Sequence, residues 1–132
     1  MGQPAAKQGD QITATDIHIV LVPTPAGQTP TPLPHAFSGI IGGGLSGDVR
    51  IMGRPAATVG STADNAPPHI PAPPGTSFQG QPANRGTIQV GSRTVRINGR
   101  PAARNGDVAA TCNDPSDLPV GQVVATGTVF IG

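Results

Sequence analysis

The sequence predicts an all-β fold assembled from three similar units around a pseudo-threefold axis, with a metal ion pinning one end. Three observations predict it. A nine-residue pattern occurs three times, short alternating segments precede two copies and end the chain, and the few metal-ligating side chains fall at matching places in the units. Helices are disfavoured from the outset. Strong helix formers are scarce and no apolar period of 3.6 residues appears. Among 132 residues, 19 are glycine and 16 are proline.

The repeat comes first because it organises everything else. The copies are Gly2-Gln-Pro-Ala-Ala-Lys-Gln-Gly-Asp10, Gly53-Arg-Pro-Ala-Ala-Thr-Val-Gly-Ser61 and Gly99-Arg-Pro-Ala-Ala-Arg-Asn-Gly-Asp107. Each shares Gly-x-Pro-Ala-Ala-x-x-Gly-Asp/Ser, and Met1 stands at the head of the first as Met52 does of the second. Asp48-Val-Arg-Ile51 and Thr94-Val-Arg-Ile97 precede the second and third copies, and their alternation with β-branched residues reads as strand. The first copy has no such segment before it. Instead the chain ends Thr128-Val-Phe-Ile-Gly132, which is that segment with no motif after it. The simplest arrangement is a closed ring, in which strand 128–131 lies beside the N-terminal motif. One domain, 1–132, then divides into units of about 1–47, 48–93 and 94–132.

The candidate ligands follow the repeat. His18 lies fourteen residues after Pro4, His69 fourteen after Pro55, and Cys112 eleven after Pro101. Three equivalent positions about one axis converge at one end. His35 adds a fourth: Pro32-Leu-Pro-His-Ala-Phe-Ser-Gly39 aligns with Pro73-Pro-Gly-Thr-Ser-Phe-Gln-Gly80, so His35 matches Thr76 and only the first unit carries it. Three His and one Cys make a closed tetrahedral set for structural zinc, with no open position for an activated water. His18 lies in Ile17-His-Ile-Val-Leu-Val22, a buried strand by its composition. His35 and His69 sit in Pro-Leu-Pro-His and Pro-Pro-His-Ile-Pro, which read as stiff, polyproline-like segments.

Composition implies that such a chain is either disordered or held by something besides burial. It has no Trp, no Tyr and three Phe, so no aromatic-rich core is available. Burial alone is then hard pressed to offset the entropy of ordering the chain. A metal and a proline-stiffened backbone both relieve that deficit. Apparent folding free energies for structural zinc are on the order of 10–16 kcal/mol, against about 5–15 kcal/mol for a whole ordinary domain.

Charge and cysteine usage exclude other classes. The formal net charge is +1, and the arginines are scattered singly with no aromatics between them, which speaks against nucleic-acid binding. One cysteine excludes an intramolecular disulfide, and a free or metal-bound thiol suits a reducing compartment. The N-terminus carries no basic and apolar run of a secretory signal, and no stretch is long and apolar enough to span a bilayer.

Pro101-Ala-Ala-Arg104, with Pro4-Ala-Ala-Lys7 and Pro55-Ala-Ala-Thr58, resembles the PAAR-repeat family. The resemblance covers essentially the whole chain. It implies a small cone of β-hairpins and Pro/Gly-rich loops with zinc near the sharp end, ligated here by His18, His35, His69 and Cys112. It also implies a non-catalytic, monomeric tip on a trimeric β-helical spike of the valine-glycine-repeat type. Such spikes belong to contractile injection machines, including type VI secretion systems, extracellular injection particles and some phage tails. The tip is assembled in the bacterial cytoplasm, carried outward on the spike, and meets the target membrane transiently. Because the chain ends at its ring-closing strand, it resembles a tip without a fused effector. Two copies depart from the motif's fourth letter, so no role attaches to Arg104 on this ground. The base, built from the three Val-x-Ile segments, is expected to offer strand edges to the spike.

Two other readings compete. A small metal- or Cys-dependent hydrolase is conceivable from three His, one Cys and seven Asp, but no catalytic motif surrounds Cys112. Gly42-Gly-Gly44 has no following Gly-Lys-Ser/Thr and reads as a turn rather than a phosphate loop. A Pro/Gly-rich cytosolic zinc-binding adaptor is the other; chelation that loosens a folded, protease-resistant protein separates the tip from a disordered chain.

Overall fold

The computed structural model describes residues 2–132; Met1, which heads the first repeat copy, lies outside them. Among the described residues there is no helix. In the first unit β1 (Gln3–Pro4) leads through the motif into β2 (Gln11–Thr24) and β3 (Gly27–Gly43). The second unit contributes β4 (Arg50–Ile51), β5 (Arg54–Pro55), β6 (Thr62–Asn65), β7 (Ser77–Phe78) and β8 (Arg85–Ile88). The third contributes β9 (Arg96–Ile97), β10 (Arg100–Pro101), β11 (Val108–Thr111) and β12 (Leu118–Val124), and β13 (Phe130–Ile131) ends the chain.

Six strands close on themselves. The order β2-β3-β6-β8-β11-β12 returns to β2 through Thr13↔Gln122, and every pairing is antiparallel. Closure leaves this part of the sheet without an open edge. Ile12, Phe37, Ile41, Ala63, Ile88, Ala109 and Val123 fill the interior. Gly86 keeps the wall thin where Phe37 seats: a Cβ there would lie 3.3 Å from both the Phe37 ring and Ile12.

The repeated motif forms the floor, and its residue types now have physical reasons. The amide of Ala6 donates to the carbonyl of Ala103, Ala103 to Ala57, and Ala57 to Ala6, at 2.9, 3.0 and 3.0 Å. The three second alanines thus meet in a closed cycle of hydrogen bonds. All three are fully buried. Gln8, Val59 and Asn105 donate to Pro55, Pro101 and Pro4, tying each motif to the next. The last motif residue caps its own turn: Asp10, Ser61 and Asp107 accept from the amides of Lys7, Thr58 and Arg104. The preceding glycines, Gly9, Gly60 and Gly106, adopt φ of 94°, 97° and 87°, a region costly for residues with a Cβ.

Beneath the floor lie three two-residue ribbons. Gln3 pairs with Ile131, Arg54 with Ile51, and Arg100 with Ile97. The C-terminal strand therefore stands beside the N-terminal motif as the other two ribbons stand beside theirs. Ile51, Ile97 and Ile131 pack on Ala5, Ala56 and Ala102 in a second small core. Only two residues of each Val-x-Ile segment pair; after Ile51 and Ile97 a tight turn at positive φ (Met52, Asn98) brings the chain straight back, whereas Ile131 pairs with Gln3 from the other end of the chain.

One local expectation changes. His35 lies within strand β3, not in a polyproline segment, while His69 sits in irregular backbone. Strand geometry survives Pro30, Pro32 and Pro34 because alternate residues of a strand send their amides to opposite sides.

Candidate metal centre

Above the apolar interior the closed sheet turns polar. Along β2 the even-numbered residues face inward, so Ile12 and Val20 are core while Asp16 and His18 between them share the same buried face. Cys112 follows β11 directly, and His69 lies after β6 in a proline-rich stretch. That stretch is fixed by the His69 amide, which donates to Asn84 Oδ1 at 2.8 Å.

These elements bring Asp16, His18, His69 and Cys112 together. One ligand atom from each lies within 4.8 Å of all the others, and all four residues are buried. Three of the four ligands read from the sequence are in this group. The other, His35, pairs with Asp16 across β2 and β3, and its ring centroid is 5.5 Å from those of His18 and His69. Its nitrogens face backbone: Nδ1 donates to the Leu33 carbonyl at 2.9 Å and Nε2 accepts from the Ala72 amide at 3.1 Å. Burial lowers the His35 pKa most, and its neighbours His18 and His69 add to the effect against the Leu33 hydrogen bond.

Asp16 was not among the ligands read from the sequence. Its carboxylate is fully buried and accepts from His69 Nε2 at 2.9 Å, from the Thr111 hydroxyl, and from the Cys112 thiol at 3.5 Å. A signal was there to be used: Asp16 and His18 are two apart on a strand, which places them on one face.

Whether the residues fit a metal is tested by His18. Its side chain is buried, and neither ring nitrogen has a hydrogen-bond partner. Nδ1 lies 3.5 Å from Asp114 Oδ2, but that carboxylate oxygen is engaged by the Ile19 amide at 2.8 Å. Buried polar atoms are rarely left without partners, since each costs about 1–3 kcal/mol. A cation bound at one His18 nitrogen removes that nitrogen's share of the debt. Cys112 agrees with that reading from the opposite direction: burial, helped by Asp16, pushes its thiol up to about 11, against backbone contacts at Asn84 and Arg85. Without a cation the thiol keeps its proton, and a coordinated metal removes it. The cluster is therefore able to hold a metal ion through side chains drawn from all three units.

The family model of the PAAR motif matches residues 34–114, more than half of the chain, and the chain belongs to that family, the spike-tip proteins of contractile injection systems such as type VI secretion. No curated protein and no solved structure matches it.

Proposed function

We propose that this protein is a non-catalytic tip that caps the trimeric spike of a contractile injection machine and that one structural zinc stiffens its narrow end. The observation that carries the metal half is His18, buried with two unpartnered nitrogens among a second imidazole, a thiol and a carboxylate. His18, His69 and Cys112 hold the ion. The fourth position falls to Asp16 as the side chains stand, or to His35 once its Nε2 is released from the Ala72 amide. In either case four donors close the coordination shell, and zinc supplies cross-linking rather than Lewis-acid chemistry. Asp16 accepts from His69 Nε2 and the Asn65 side-chain amide lies 3.2 Å from Nδ1, so His69 binds the ion by giving up one of these contacts, and Asp16 orients the ring when it is Nδ1 that coordinates.

Family membership supports the docking half, and so does the cycle of motif contacts. A chain with three similar ribbons at its base offers a near-threefold surface to a threefold partner while remaining a single chain. The ribbons lie at the opposite end of the closed sheet from the metal cluster, so docking and stiffening do not compete. At the far end, the β2–β3 ribbon and the metal-pinned loops would meet the target envelope.

Metal analysis of the purified protein beside a Cys112→Ser variant tests the metal half. One zinc per chain is expected, with loss in the variant; an absence of stoichiometric metal overturns it. Asp16→Asn and His35→Ala then identify the fourth ligand by which one weakens zinc retention more against a competing chelator. Co-purification with a trimeric spike protein from the same genome tests the docking half, and failure of intact, zinc-loaded protein to bind it overturns that half alone.

A further inference from the structure

The β2–β3 ribbon is far longer than the other two hairpins of the closed sheet, and most of its outer half stands clear of them. Strand β6 covers β3 only from Gly39 to Gly43, and β7 covers β2 only at Val20 and Leu21. Asn113, Asp114, Gln79 and Thr76 hold the β2 edge from Ile17 to Leu21, so the stretches left open are β2 beyond Leu21 and β3 on the turn side of Ser38, and an edge with free amides is a template for another chain.

The phase of the ribbon can be read from its neighbours. The amides of Ile17 and Ile19 donate outward to Asn113 Oδ1 and Asp114 Oδ2, and the carbonyls of Ile17, Ile19 and Leu21 accept outward from Asp114, Gln79 and Thr76. Odd-numbered residues of β2 therefore face away from β3. Their partners must face away from β2, because antiparallel strands alternate between pairs that exchange hydrogen bonds and pairs that do not. Those partners are Pro34 opposite Ile17, Pro32 opposite Ile19 and Pro30 opposite Leu21. Ser38, in the same phase, does face outward: its amide donates to Asn65 Oδ1 and its carbonyl accepts from Ala66. Pro23 of β2, beyond the reach of β7, is also odd-numbered and opposite Gln28. All four prolines of the ribbon occupy outward positions, and no inward position holds one.

We infer that Pro23, Pro30, Pro32 and Pro34 form a built-in block against edge-to-edge strand pairing, stripping amide donors from the free edges of the protruding ribbon so that copies of this chain do not associate through it. Each proline removes a donor where none is used and leaves the bonds between β2 and β3 intact. A segment of this length without them would offer donors at alternate residues, in the spacing a neighbouring strand accepts.

The test replaces Pro30 and Pro32 with threonine, a good strand former, and leaves Pro34 beside His35 untouched. Sedimentation velocity is run over a range of concentrations on wild type and on P30T/P32T, with metal content and far-ultraviolet circular dichroism checked for both. The variant is expected to keep wild-type metal content and spectrum and to shift from monomer to dimer or higher species as concentration rises. A natively folded variant as monomeric as wild type overturns the inference. A second pair reads the phase without depending on that fold. Gln28→Pro, in the outward phase, is expected to leave the melting temperature unchanged, while Thr31→Pro, in the inward phase opposite Val20, is expected to lower it by several degrees. Equal effects of the two overturn the inference as well.

Discussion

Replacing His18 with phenylalanine distinguishes a metal centre from a merely buried histidine by the sign of its effect. The two rings are similar in size, and the site already contacts Phe78, whose centroid is 5.8 Å away. Without a metal, His18 buries two unpartnered nitrogens. At about 1–3 kcal/mol for each unsatisfied group, removing both stabilises the metal-free fold by roughly 2–6 kcal/mol before any misfit of the new ring is subtracted. With a metal, the same change deletes a ligand. A ligand present at a thousand times its dissociation constant stabilises by about 4 kcal/mol, so losing the ion costs at least that much at saturation. For a chain of 132 residues, an unfolding entropy of about 2.1 cal/mol/K per residue gives roughly 280 cal/mol/K in all, and 4 kcal/mol becomes a drop of about 14 °C in melting temperature. Calorimetric melts of wild type and H18F, each zinc-loaded and chelator-stripped, measure both signs. The variant should melt well below wild type when zinc is present, and at or above it when both are stripped. A zinc-treated variant that melts as high as wild type would refute the metal reading.

Three further outcomes follow from the geometry. Ala57→Val should cost about 1–3 kcal/mol by overpacking, because the methyl already sits fully buried in the cycle of motif hydrogen bonds; urea denaturation would measure it. Asp107→Ala should cost about 1.5–3 kcal/mol in the same assay, since its carboxylate accepts from the Arg104 amide at 2.7 Å and pairs with the guanidinium at 2.8 Å. Cys112 should resist alkylation at neutral pH in the folded, metal-free protein and react rapidly in urea, because the thiol is buried and its pKa is pushed up to about 11; rapid modification of the folded form would contradict the packing around it.

Much of the site was legible because strand geometry is periodic. His18 in an apolar run, the motif spacing to His69 and Cys112, and the missing strand before the first motif all follow from counting residues. Asp16 escaped attention because a carboxylate on a strand is ordinarily solvated, and nothing near it in the chain reveals that Thr111, Cys112 and His69 surround it. The setting of His35 was likewise hidden: its partner Ala72 is 37 residues away, and which of its nitrogens is engaged depends on that contact.

The amino-acid order by itself determined the all-β class, the recurrence of the motif and the residue types at its turns, since these rest on local sterics: glycine at the positive-φ positions Gly9, Gly60 and Gly106, proline where no amide is needed, and alanine at the buried centre of the motif cycle. Tertiary structure decided the rest. Closure of six strands into one ring, the hydrogen-bond cycle of Ala6, Ala57 and Ala103, and the burial of His18 beside Asp16 each join segments remote in the chain. Such contacts form only when loop closure is offset by burial and hydrogen bonding across the whole molecule, and no local pattern encodes which distant atoms will meet.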